Sequence, residues 1–211
     1  MPPPAVNLIT RDAVSADHAT VTALLAASFT DGAVARWLDP DPDTRATNAL
    51  DYFDITVNHA LHSGVIRVAE ENGELVGAAL WFPYQAPDSP PEPITIPASD
   101  DPRAGVSLRL KILEGILDKR HPRYPHHYLA FLGVRPDRQC NGIGSHLLIR
   151  SHAFLHTVRT PAYLEATDPR NRELYRRHGY LDLDDNPIVL PGGGPCLFPM
   201  WREPVPADVS E

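Results

Sequence analysis

Cysteine is scarce in this chain of 211 residues: only Cys140 and Cys196 occur. Two thiols cannot build a disulfide-rich scaffold, and their separation matches no zinc-ligand spacing. Free thiols in a reducing compartment are therefore expected. Basic charge is also in deficit. Lys and Arg number 19 against 27 Asp and Glu, a formal net charge of −8. That balance disfavours non-specific nucleic-acid binding, which depends on cationic contacts to phosphate, and it suits an amine-bearing ligand. No apolar run approaches the roughly 20 residues of a membrane-spanning helix. The opening stretch "MPPPAVNLITRD" has neither the basic flank nor the apolar centre of a secretory leader. A cytoplasmic protein without membrane or nucleic-acid partners is the expectation. His152 and His156 lie four apart on a helical pattern, but no third ligand completes a metal set. They read as an exposed face, and no metal is expected.

The composition that is present, 43% hydrophobic and 22% charged, fits a globular chain with a sizeable core. Its length suggests a single domain over residues 1–211. Residues 5–11 alternate like a first strand. A helix follows through "HATVTALLAASF", with Ser15 or Asp17 as its cap, and then a broken connection through Gly32. A second helix runs from Asp43 or Thr44 to Ser63 and stops at Gly64. Two β-rich runs flank Asn72-Gly73, a strong hairpin signal. Proline crowds residues 83–102, which read as a long surface loop, either a lid or a spacer. Beyond it come a helix over 103–121, with Leu108, Ile112, Leu113 and Ile116 on one stripe, and an apolar strand, 126–134. A helix from about Gly142 carries Ile143, Leu147, Ser151, Phe154, Leu155 and Val158 on one face. A buried strand, 162–167, and a short helix between Asp168 and Gly179 follow. A closing hairpin pairs 180–185 with 196–202, and residues 203–211 form a flexible tail. Strands and helices alternate towards the end, which points to an α/β sheet.

The stretch "LGVRPDRQCNGIGSHLL", residues 132–148, places Gly142 and Gly144 where a helix begins. Glycine costs about 1 kcal/mol relative to alanine inside a helix, so bare backbone there has a purpose. A phosphate-binding P-loop would need a lysine before Ser145, and a dinucleotide fingerprint would need glycine at Leu147. Free N–H groups at a helix start attract phosphate oxygens, and glycine lets them come close.

With "GVRPDRQCNGIG", in which Val134, Pro136, Gln139, Gly142 and Gly144 stand in pattern, the chain resembles the GNAT acyltransferase superfamily. "TDPRNRELYRRHGY" resembles the family's second motif through Asn171, Tyr175, Gly179 and Tyr180. The run Pro169-Arg170-Asn171 and the order of elements are similar to puromycin N-acetyltransferase-like proteins. The resemblance spans residues 5–202 and is sharpest over 128–180. Cys140 departs from the glycine or basic residue common at its position.

The resemblance implies a GNAT fold: a mixed, mostly antiparallel central sheet, a splayed parallel pair formed by strands 127–134 and 162–166, and flanking helices. Acetyl-CoA would lie between the splayed strands as cosubstrate. Its contacts would be Leu132, Gly133, Val134, Arg138, Gln139, Cys140, Asn141, Gly142, Ile143, Gly144, Ser145, Asn171 and Tyr175. Tyr175 would protonate the leaving thiolate. Glu165 would take the proton of the attacking amine, with His126 and His127 as rivals; a structural ion pair with Arg170, Arg172 or Arg176 is the alternative for that carboxylate. Phe29, Trp37, Trp81, Phe82, Tyr84 and Tyr128 would wall the acceptor site. The activity implied is acetyl transfer to a primary amine of a small molecule, such as an aminonucleoside antibiotic, by a monomer or homodimer. A protein or peptide N-acetyltransferase and a non-catalytic acyl-CoA sensor are the competing classes.

Overall fold

The structure is a computed structural model that describes residues 8–85 and 102–204, with side chains from residue 105 in the second segment. The ends of the chain at 1–7 and 205–211, and most of the proline-rich stretch, lie outside the described residues. In order, the elements are β1 (Leu8–Asp12), α1 (His18–Phe29), α2 (Ala33–Leu38), α3 (Pro42–Ser63), β2 (Val65–Glu71), β3 (Glu74–Tyr84), α4 (Pro102–Arg120), β4 (His126–Val134), α5 (Ile143–Thr157), β5 (Ala162–Ala166), α6 (Pro169–Arg177), β6 (Leu181–Asp182), β7 (Ile188–Val189) and β8 (Cys196–Arg202).

Local chemistry accounts for the main boundaries. The Asp41 side chain accepts from the Asp43 N–H at 3.0 Å and Pro42 opens α3, while the Gly64 N–H closes it on the Ala60 carbonyl. Asn72 and Gly73 both take positive φ, 54° and 85°, as a two-residue hairpin turn requires. Asp168 caps α6 by accepting from the Asn171 N–H at 2.9 Å, and Gly179 at φ 84° ends it. One short helix, α2, occupies part of the connection expected to be broken, and β3 carries Pro83 inside its range rather than leaving it to the loop.

The strands form one mixed sheet in the order β1-β2-β3-β4-β5-β8-β6, with β7 paired to β8. Every pairing is antiparallel except β4 with β5. One face carries α5 and α6 over a core that includes Trp81, Leu129, Leu147 and Leu164. The other carries α1 and α3 over Val57, Val68, Leu80 and their neighbours. A third cluster, including Leu113, Ile188, Leu190 and Leu197, joins α4 to the β7–β8 end, with Trp37 packed against it.

The register of β3 on β4 slips at one point: Leu80 pairs with Phe131 but Trp81 with Leu129, so Ala130 is the extra residue of a bulge. A one-residue slip exchanges the faces of a strand. Before the bulge, Tyr128 packs edge-on to His121 on the face opposite α5 and Leu129 faces α5; after it, Phe131 faces α1 and α3, and Leu132 faces α5. The stripe on α5 also differs from the simple periodic one. Ile143, Leu147, Leu148, Ser151, His152 and Leu155 are buried, whereas Phe154 and Val158 are exposed. His152 is thus a core residue, not part of an exposed face: its Nε2 lies 3.0 Å from the Tyr180 hydroxyl. Burial there lowers its pKa to about 3, so the ring is neutral.

Candidate active site

The parallel contact between β4 and β5 consists of two register pairs, His127 with Ala162 and Tyr128 with Tyr163. Beyond them β4 continues to Val134 while β5 continues on β8 alone. The sheet opens there, and backbone groups of β4 on that side have no strand partner among the described residues. The opening leads towards the start of α5.

That helix start is built to receive an anion. Gly142 stands at its N-cap with φ 79°, no side chain caps it, and the first N–H bonded within the helix belongs to His146. The N–H groups ahead of it are left for a ligand, and the helix dipole adds partial positive charge. A Cβ on Gly142 would meet nothing within 4 Å among the described residues, so these leave the space above it open. Gly144 has a different reason. A Cβ there would point at Leu174, Leu132 and Val134, at 3.6 to 4.0 Å, so this glycine faces protein rather than the opening. It seats α5 close to β4 and α6. The loop before the helix is held by the Asn141 side-chain amide, which donates to the Arg138 and Gln139 carbonyls, and by Gln139 Nε2, which donates to the Val134 carbonyl at 3.2 Å.

On the face opposite α5, β4 and β5 present a polar cluster. The Tyr128 hydroxyl donates to Glu165 Oε2 at 2.8 Å. Glu165 Oε1 and the Tyr163 hydroxyl are both shielded from solvent without a hydrogen-bond partner among the described residues. Burial pushes the Glu165 carboxyl up to about 7, against the opposing pull of the Tyr128 hydrogen bond. A carboxyl in that range exchanges protons near neutral pH. Burial also raises the pKa of Tyr128 and Tyr163, so both phenols stay protonated.

The cluster extends to a histidine pair that the sequence did not disclose. His126 Nδ1 lies 2.6 Å from the Tyr124 carbonyl, and its Nε2 lies 3.0 Å from His121 Nε2. A carbonyl only accepts, so His126 carries its proton on Nδ1 and takes that of His121 on Nε2. Both nitrogens of His126 are thereby occupied, which removes it as a free base. Burial lowers the pKa of both rings, to about 4 for His121. His127 points to the opposite face, edge-on to Phe154.

The other sequence candidates separate cleanly. Tyr84 stacks on His126 and lies tilted against His121 beside the cluster, and Phe29 packs edge-on to Phe131 on the same face. Phe82 stacks on His59 of α3. Trp81 cannot wall an acceptor site there: it alternates with Leu80 and Phe82 along β3 and so lies on the α5 face, where it is 3% exposed beside His152. Trp37 packs with the third cluster and donates from Nε1 to the Pro191 carbonyl at 2.8 Å. Ile143 buries its side chain in the core and offers only its backbone, as does Leu132, which packs against the same core. Arg138 is committed to an ion pair with buried Glu71 of β2, so its guanidinium is not free for a cofactor. The suggested ion pairs of Glu165 do not form: Arg172 and Arg176 both bind Asp182, and Arg170 reaches Cys140. Tyr175 lies in the core of the α6 face, 8% exposed, edge-on to Tyr180. Burial raises its pKa and keeps the phenol protonated. Ser145 and the Asn171 side chain make no hydrogen bond among the described residues. Asp39, between α2 and α3, belongs to the lining of a cavity of about 480 Å³ that also includes Asp41, Asp43, Asn48 and Arg109. Burial opposes its charge, but hydrogen bonds from Thr44, Asn48 and the Asp41 N–H outweigh that and hold the carboxyl below its usual range.

A mixed sheet opened between two parallel strands, with an anion-receiving helix start at the opening, defines the architecture of an acyl-CoA-dependent transferase. The chain belongs to the acetyltransferase (GNAT) family, whose model matches residues 21–180, and it is an N-acetyltransferase. Members of this family take the acetyl group from acetyl-CoA. Among solved structures, a Corynebacterium glutamicum protein named as histone acetyltransferase HPA2 and related acetyltransferase is 27% identical; the match covers 96% of this chain and 99% of that one, with a TM-score of 0.70. A polyamine N-acetyltransferase of Drosophila melanogaster that forms N-acetylagmatine shares the fold at 14% identity, with 93% and 100% coverage and a TM-score of 0.62. An agmatine N-acetyltransferase matches at 15% identity, with 93% and 99% coverage and the same TM-score. Among the described residues no helix is long and apolar enough to cross a membrane, and no three metal-ligating side chains gather.

Proposed function

We propose that the protein transfers the acetyl group of acetyl-CoA to a primary amine of a small molecule, with Glu165 as the base that takes the amine's proton. The observation that carries this reading is the half-buried Glu165 carboxyl, its Oε1 shielded from solvent and its Oε2 held by Tyr128, beside the point where β4 and β5 part; burial raises its pKa to about 7. An amine attacks a thioester only as the neutral base, so it must lose a proton before or during attack. A carboxylate with a pKa near the working pH accepts that proton efficiently and can pass it on to water.

The remaining roles follow from placement. Backbone groups of Leu132, Gly133 and Val134 would pair with the cofactor's arm as an added strand. The N–H groups from Gly142 to Ser145 would hold its diphosphate, and Asn171 offers an unengaged amide nearby. Bound acetyl-CoA supplies the activated carbonyl and the leaving thiol. Tyr175, kept protonated by burial, is the group we assign to protonate the departing thiolate as the C–S bond breaks. Tyr84, Tyr128 and Phe29 contribute aromatic surface on the acceptor face. An aminonucleoside of the puromycin type has the required primary amine. The Corynebacterium neighbour named as a histone acetyltransferase favours a second reading, transfer to a protein amine.

The test is steady-state kinetics with acetyl-CoA and a panel comprising puromycin, agmatine, a linear polyamine, a lysine peptide and a free N-terminal peptide, with products identified by mass spectrometry. One small amine is expected to exceed both peptides in kcat/KM by about 100-fold, the scale on which buried complementary contacts discriminate substrates. The reverse ranking would move the assignment to protein acetylation. No acetylated product from an enzyme that binds acetyl-CoA would favour the sensor class.

A further inference from the structure

We infer that Arg170 is a phosphate-binding residue of the cofactor site, a cation supplied by α6 to a cradle whose own loop arginines are tied up in ion pairs. The inference rests on the acetyl-transfer reading above. It begins from a charge deficit. The helix start at Gly142 offers N–H groups and the roughly half unit charge of a helix dipole. A CoA molecule brings a diphosphate and a 3′-phosphate, several negative charges in all. Residues 139–145 contain no Lys or Arg, and Gln139 is neutral and bonded to the Val134 carbonyl.

The arginines flanking the loop are already engaged. Arg135 binds Asp137 and Glu74, and Arg138 binds Glu71. On α6, Arg172 and Arg176 bind Asp182. Arg170 has no carboxylate partner among the described residues. Its Nη2 lies 2.5 Å from Cys140 Sγ, on the exposed rim of the cradle, two residues before Gly142. Cys140 itself takes φ 64°, a conformation uncommon for a side-chain-bearing residue. A neutral thiol is a weak acceptor. A phosphate oxygen arriving at the neighbouring N–H groups offers the planar guanidinium a far stronger, bidentate partner.

The chemistry recognised is a phosphate of the cofactor, and its two sources can be separated. Calorimetric titration would compare CoA with dephospho-CoA, which lacks the 3′-phosphate, on wild type, Arg170→Ala and Arg170→Lys. Arg170→Ala should weaken CoA by about 10-fold, the range of one charge-assisted bidentate contact, with only partial recovery in Arg170→Lys. A loss seen with CoA but absent with dephospho-CoA assigns the contact to the 3′-phosphate; an equal loss with both assigns it to the diphosphate. A second readout needs no variant. CoA should protect Cys140 from alkylation by iodoacetamide, but not Cys196, with both exposed in the free protein. Wild-type affinity retained by Arg170→Ala for both ligands would overturn the inference alone. A wild-type protein that bound no CoA would overturn the acetyl-transfer reading, and this inference with it.

Discussion

Replacing Glu165 with glutamine is expected to lower kcat by about 10²–10⁴-fold at pH 8, the span that a positioned acid–base group contributes. Glutamine keeps the shape of the side chain, and its carbonyl can still accept the Tyr128 hydrogen bond. The sheet around it therefore has little reason to change. What disappears is the capacity to hold a proton. At pH 8 the carboxyl is mostly ionised, since burial places its pKa at about 7, so the loss registers removal of an active base. KM for both substrates should change far less than kcat, because an interaction made chiefly in the transition state is removed. A variant with full kcat would show that another group, or water alone, takes the amine's proton.

Gly142→Val should raise the dissociation constant for acetyl-CoA by about 30-fold or more. Two effects combine. The residue sits at φ 79°, where a left-handed conformation costs a non-glycine residue roughly 1–2 kcal/mol and suits a β-branched side chain least. The space a Cβ would enter is open in the protein itself, so the valine would occupy volume reserved for the ligand. Relaxing the strain would also turn the N–H groups of the helix start away from their common direction. Gly144→Ala makes the informative contrast: its Cβ would make ordinary contacts with Leu174 and β4, and the effect on affinity should be several-fold smaller. Equal affinities for wild type and Gly142→Val would move the diphosphate away from this helix start.

Much of the architecture was legible because its signals are local. Asn72-Gly73 forces a turn, Asp41 and Asp168 cap helices, and Gly64 and Gly179 end them; each acts within a few residues. The strand–turn–glycine–helix segment is read in the same way. The features that escaped depend on partners far along the chain. The bulge at Ala130 has no mark of its own, yet it puts Leu129 and Leu132, three apart on β4, on the α5 face and Phe131 on the other. Arg138 looked free for phosphate because its partner, Glu71, lies on a strand more than sixty residues earlier. His152 follows the helical period of a surface position, and only Tyr180 shows why a histidine is buried there. His121 stands just past a helix with no pattern around it. Tyr163 was the readable omission: it alternates with Glu165 on one strand, so the two had to share a face.

The pH dependence of kcat/KM, measured with the acceptor that gives the highest value, tests the account most directly. kcat/KM reports groups of the free enzyme and free substrates. A base of pKa about 7 predicts a break near that pH, with the logarithmic slope one unit steeper below it than above. The ionisation of the amine itself is superimposed at higher pH. The same profile for Glu165→Gln should retain the amine's limb and lose the break near 7. A wild-type profile that follows the amine alone, or a break that survives in Glu165→Gln, would contradict the assignment of Glu165 as the base.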